Sequence, residues 1–168
     1  FGSIIAKLGD IRGGYHYVQL ALSLLDKVGS RESAGEAICF ATHVRAYLEP
    51  LQSVLEYFND GYTAAMTSGD VNMAVISRAQ SNGTSFYSGA NLQTMQEKYA
   101  KLMEMMEETK QVVFLVMQQP IQRSIFKLVG SEEKQKYVIE EQNIIARNNS
   151  VLRSYCFQKA YISFIFRS

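Results

Sequence analysis

Apolar residues recur along this chain in steps of three and four, the spacing of a helix with one buried face. Leu51, Val54, Leu55, Phe58, Tyr62, Ala65 and Met66 mark such a face over residues 51–68. Leu92, Met95, Tyr99, Leu102, Met103 and Met106 mark another over residues 92–109. A more polar helical run, 71–88, lies between them, and only Gly69 with Asp70 and Gly89 with Ala90 separate the three. Joints this short force antiparallel neighbours, so the building unit is a helical hairpin.

The hairpin repeats. Helices are predicted to stop near Gly29, Gly69, Lys110 and Asn149, and a second series stops near Pro50, Gly89 and Gly130; both advance by about 40 residues. Two interleaved series at one spacing predict an all-α protein, a right-handed α-solenoid of about four stacked hairpins, with a period longer than the tetratricopeptide's. Residues 1–13 read as the end of a preceding helix (Ile4, Ile5, Leu8) and a loop through Gly9, Asp10, Gly13 and Gly14; residues 14–168 read as the repeats. The apolar run from Tyr161 to Phe166 lacks the polar outer face of a terminal repeat, so the expectation is a piece of a longer solenoid.

Within this frame, the first full helix is predicted over 15–28. It carries Val18, Ala21, Leu22, Leu25 and Val28 on one side and Tyr17, Leu20 and Leu24 on a second strip, the pattern of packing on two neighbours. Small residues such as Ala34, Ala37 and Ala41 in the next helix, 31–48, permit close approach of a partner. Gly69 suits a left-handed stop and Asp70 a cap for the helix that follows. In that helix Gly83 costs about 1 kcal/mol relative to alanine. The helix over 111–128 is apolar all round at 112–117, which predicts deep burial, and Pro120 predicts a kink or break near 117–119. Ser131, Glu132 and Glu133 open a seventh helix, and an eighth starts near Ser150.

Composition narrows the class. The chain is 47% hydrophobic and 20% charged, enough to fill a core. Its 17 basic and 16 acidic side chains leave no excess to attract nucleic acid or an anionic membrane surface. No stretch approaches the roughly 18 apolar residues of a membrane span. Cys39 and Cys156 form no disulfide framework; both read as buried, in a reducing cytoplasmic setting.

Catalytic and metal chemistry find little footing. His16 and His43 fall on different helices, and no clustered Cys/His spacing offers a metal site. The glycines from Gly9 to Gly14 lack the Lys-Ser/Thr of a phosphate-binding loop. Glu132 with Glu133, and Glu140 with Glu141, read as solvated helix faces. Met95, Met103, Met105, Met106 and Met117 fit either an adaptable groove or core filling, with helical spacing on the side of core. No catalytic residue, metal ligand or cofactor is expected.

Two stretches carry a resemblance: GYHYVQLALSLLDKV, from Gly14, and YLEPLQSVLEYFNDGYTAAMTSGDVNMA, from Tyr47. With Leu128, Val129 and Gly130 they resemble the tetratricopeptide-like helical region of large multidomain signalling ATPases. In those proteins this region follows a P-loop ATPase module, often behind a kinase-like domain, and histidine-kinase or nucleotide-cyclase outputs lie downstream. Tyr47 departs from the family, which usually has Trp there. The resemblance implies a non-catalytic scaffold that binds protein or peptide partners, or couples neighbouring domains of its own chain. A ligand-sensing solenoid, whose groove binds a small metabolite or an acidic or phosphorylated peptide, is the alternative. Open apolar ends would also favour self-association of the fragment.

One polar constellation is a candidate site. Arg78, Asn82 and Ser85 share a helix face, and stepping by the repeat reaches Thr42 and Arg45 in one direction and Gln119 and Arg123 in the other. By the same resemblance, this face lines the groove. Three guanidinium groups there would favour carboxylate or phosphate, which they bind bidentately. The alternative is that these are ordinary solvated positions.

Overall fold

The computed structural model of the chain describes residues 1–131 and 149–165. Among them are eight helices and no strand: α1 (Gly2–Lys7), α2 (Ile11–Val28), α3 (Ala34–Arg45), α4 (Leu51–Ser68), α5 (Val71–Tyr87), α6 (Leu92–Glu108), α7 (Val112–Val129) and α8 (Asn149–Ile165). The expected seventh helix opening at Glu132 lies outside the described residues. No helix among those described is long and apolar enough to cross a membrane. The chain divides into two compact units, Phe1–Gly89 and Ala90–Ser168.

In the first unit the turn chemistry sets the frame. Gly29 and Gly69 end α2 and α4 in the left-handed region, at φ 66° and 78°. Asp70 then caps α5, its carboxylate accepting from Met73 N at 3.0 Å. This two-residue joint folds α5 back along α4. The buried stripe of α4 is Val54, Phe58, Gly61 and Ala65, narrower than the sequence pattern, since Leu51 and Met66 stay exposed. Gly61 belongs to it because α4 lies against both α3 and α5. A Cβ there would stand 3.2 Å from Ser77 Oγ and 3.4 Å from Ile38 Cγ2. Helix α3 touches α1, α2, α4 and α5, and no other helix of the unit touches all its companions.

The N-terminal stretch differs from the expected loop. Helix α2 begins at Ile11, capped by Asp10, whose Oδ1 accepts from Gly13 N at 2.8 Å. Gly13 and Gly14 are therefore helical, and only residues 8–10 separate α1 from α2. Gly14 serves contact: a Cβ on it would lie 2.6 Å from the Gly2 carbonyl oxygen and 2.9 Å from Ala6 N. This close crossing lets Ala6 join Val18, Ala41 and Val44 in one core cluster, with Tyr15 and Leu22 packed against it. The second strip of α2 finds no such cover: Tyr17, Leu20 and Leu24 are 49%, 60% and 59% exposed.

In the second unit α7 packs against both α6 and α8. Met95, Tyr99, Leu102, Met103 and Met106 of α6 are all buried, which places these three methionines in core, while Met105 and Met117 are half-buried. Helix α7 runs unbroken past Pro120, so of the expected kink or break the break does not occur. The burial of Leu115, Val116 and Gln118 through Ile121 holds the interrupted turn in place. Val112 and Val113 are exposed rather than deeply buried, because the buried face of α7 begins at Leu115. Cys156, expected in the core, is exposed, whereas Cys39 is fully buried.

Candidate functional site

The arginines of the candidate ladder are held by tyrosines and amides. At the C-terminal end of α3, the Arg45 guanidinium lies 3.9 Å above the Tyr57 ring of α4. Its Nη2 donates to Gln19 Oε1 at 3.5 Å, and its Nε lies 3.6 Å from Glu49 Oε1. The Tyr15 hydroxyl donates to the same carboxylate oxygen at 2.8 Å. That hydrogen bond, followed by desolvation, pushes the Tyr15 phenol above its ordinary range. Arg45 thus ties α2, α3, the turn after α3, and α4 together.

Arg78 repeats the device on the opposite flank of α4. Its guanidinium lies 3.8 Å above the Tyr62 ring, and Nη1 donates to Asn59 Oδ1 at 3.5 Å. Ser81 Oγ donates to the same Asn59 oxygen at 3.3 Å. Among the described residues the Arg45–Glu49 contact is the one ion pair between acidic and basic side chains.

Of the remaining ladder positions Thr42, Asn82, Ser85 and Gln119 are buried, not solvated as the plainer reading has it, and Arg123 is half-buried. Thr42 is 1% exposed and donates to the Ile38 carbonyl at 2.7 Å. Asn82 and Ser85 are buried on α5. In the second unit Gln119 is buried, and its Oε1 accepts from Arg123 Nη2 one helical turn later at 3.4 Å. Within the first unit the structure therefore gathers Arg45 and Arg78 around α4, while Thr42, Asn82 and Ser85 face the packing between helices.

An open groove of the first unit lies elsewhere. Helices α2 and α4 do not touch, although both flank α3. The gap between them is a cleft of about 620 Å³. Its floor is apolar, formed by Ala34 and Ile38 of α3 with Leu25 and Ala64 at its sides. Its rim carries Asp26 on α2, and Asp60, Thr63 and Thr67 on α4. Arg31 stands at the mouth. Sequence reasoning missed this cleft, though a signal was present: Asp60, Thr63, Ala64 and Thr67 follow helical spacing on the face of α4 opposite its core. What that spacing could not show is that α2 stands clear of them.

Among the described residues no group of three or more His, Cys, Asp or Glu side chains is placed to hold a metal ion. Comparison with known proteins finds no matching family model, no matching curated protein and no matching solved structure.

Proposed function

We propose that this chain is a non-catalytic helical scaffold that binds protein segments, and that the cleft of the first unit is where it does so. The observation that carries this is the cleft's form: broad, open, apolar at the floor and polar at the rim. A small-metabolite sensor calls instead for a site that closes around most of its ligand with convergent polar groups. An amphipathic helix or extended segment suits an open apolar channel, placing anchor side chains on the floor. Asp26 and Asp60 on opposite walls favour basic residues flanking those anchors. The proposal extends to the stacking expected from the repeat, a right-handed α-solenoid, and to a place in a cytoplasmic multidomain signalling ATPase, where the bound segment belongs to a partner or to a neighbouring domain of the same chain.

Site-specific photo-crosslinking in the producing cell tests this. A crosslinker at Thr63 or Thr67 should capture a defined protein segment rich in apolar and basic residues. One at Arg12, which does not line the cleft, should not. Ala64→Arg, which fills the channel, should abolish capture without changing the circular-dichroism spectrum. Equal capture from all three positions, or capture that survives Ala64→Arg, would overturn the proposal.

A further inference from the structure

A second cavity, on the other side of α3, has a different character. Helical spacing puts Phe40, His43 and Val44 on one face of α3, with Tyr47 in the turn after it, and Ser3, Ala6 and Lys7 on one face of α1. The crossing at Gly2 and Gly14 fixes α1 against α2. The edge of α1 facing α3 stands off enough to leave a cavity of about 160 Å³ between these two faces. Phe40, Val44 and Ala6 make its apolar walls; His43, Lys7 and Ser3 supply polarity.

The imidazole of His43 is set in place. It meets the Phe58 ring edge-on at 5.4 Å and lies 6.2 Å from Phe40. Its Nδ1 is 2.8 Å from the Cys39 carbonyl oxygen. A carbonyl accepts only, so Nδ1 carries the proton, and in the neutral ring Nε2 is left as a bare acceptor. Burial, and then the charge of Lys7, hold the imidazole below its usual range, against the opposing pull of the Cys39 carbonyl, so the neutral ring prevails. Lys7 brings the complementary group, an ammonium that only donates.

The volume selects one ring, since a cavity of about 150 Å³ accommodates benzene. The polar groups select what the ring carries. A hydroxyl donates once and accepts as well, so it can give its proton to Nε2 and receive one from the ammonium. A carboxylate can only accept, and would set its lone pairs against Nε2. A plain hydrocarbon would leave the acceptor unsatisfied. We infer that this cavity is a binding site for a small monocyclic phenol, its hydroxyl bridging His43 Nε2 and Lys7 and its ring seated on Phe40, Val44 and Ala6. Occupancy would tie α1 to α3 through the ligand, a site separate from the cleft.

Histidine-ring nitrogen NMR on the whole chain tests the inference with phenol, toluene and benzoate as probes. Phenol should shift the His43 Nε2 signal saturably with the Nδ1–H tautomer retained. Exposed His16 should not move. Toluene should bind roughly 10- to 100-fold more weakly, the cost of both hydrogen bonds, and benzoate should give no saturable shift. Val44 methyl signals report occupancy independently, so His43→Phe should be seen to weaken phenol several-fold towards the level of toluene. Lys7→Gln, at an exposed position, should weaken phenol several-fold and keeps the test decisive if His43→Phe does not fold. No saturable phenol shift, equal binding of toluene or benzoate, or unchanged phenol affinity in a folded variant would overturn the assignment.

Discussion

Three helical glycines of the first unit make one substitution, Gly→Ala, into a ruler of packing distance. In a helix interior alanine is favoured by about 1 kcal/mol wherever the added methyl meets nothing. At Gly83, in the middle of α5, a Cβ would have no heavy atom within 4 Å, so Gly83→Ala should stabilise by about that amount. At Gly61 it would approach Ser77 Oγ to 3.2 Å, a contact that a few tenths of an ångström of give relieves, so gain and crowding should nearly cancel. At Gly35 it would lie 2.6 Å from Ala65 Cβ and 2.7 Å from Ala65 Cα. Those atoms move only if α3 and α4 separate, and overpacking of this kind costs about 1–3 kcal/mol. The first and last variants should therefore differ by about 2–4 kcal/mol, with Gly61→Ala between them. Urea denaturation followed by far-UV circular dichroism measures this, provided the slopes stay equal. A Gly35→Ala variant as stable as the parent would refute the close α3–α4 crossing, and a destabilised Gly83→Ala would refute the open space around α5.

Other predictions use different parts of the first unit and of α8. Phe58→Ala, at a side chain only 2% exposed, should cost about 3–5 kcal/mol in the same denaturation assay, and a near-neutral effect would mean the buried face of α4 is misplaced. Burial pushes the Cys39 thiol up, although the neighbouring Ser77 hydroxyl pulls the other way, whereas Cys156 is exposed. A thiol reagent should thus label Cys156 quickly and Cys39 only under unfolding conditions, and rapid labelling of both would contradict this. The depressed His43 pKa makes the unfolded chain bind more protons than the folded one just below about pH 6.5. Its contribution to stability should be complete above that pH and lost as pH falls through the lower folded value; denaturation midpoints of the parent should show this loss, and those of His43→Gln should lack it.

Where the sequence carries local signals, fold and reading coincide. The bounds of α4 are those its stripe predicts, because Gly69 and Asp70 state the stop and the next start within two residues. Even the stop at Lys110 was legible from the spacing, although no glycine marks it and the residue itself takes a positive φ of 56°. The misreadings share another cause. Gly14 serves a helix crossing and Gly13 lies against the Asp10 cap, yet the pair look, in sequence, like a loop. Pro120 is held within an unbroken helix by burial that lies far away in sequence. The ladder positions are on helices as expected, but whether a polar face meets water or another helix depends on neighbours that no local pattern names. Thr42 and Asn82 met helices. The openness of the cleft and the cavity beside His43 escaped the sequence for the same reason: the first is a gap between α2 and α4, which do not touch, and the second is space left unfilled where α1 meets α3.

The central place of α3 also has a consequence in time. This helix is short, with 12 residues, and its companions α4 and α5 follow it in the chain. Synthesis must extend from Arg45 to Tyr87 before the last of them is complete, which at ordinary elongation rates takes about 2–8 s. Packing against α1 and α2 covers only part of α3, so during that interval Ile38 and Cys39 wait for their partners. The growing chain therefore passes through a stage, recurring in every molecule made, at which its central helix is formed on one side only, and a chaperone that recognises short apolar stretches would find it then.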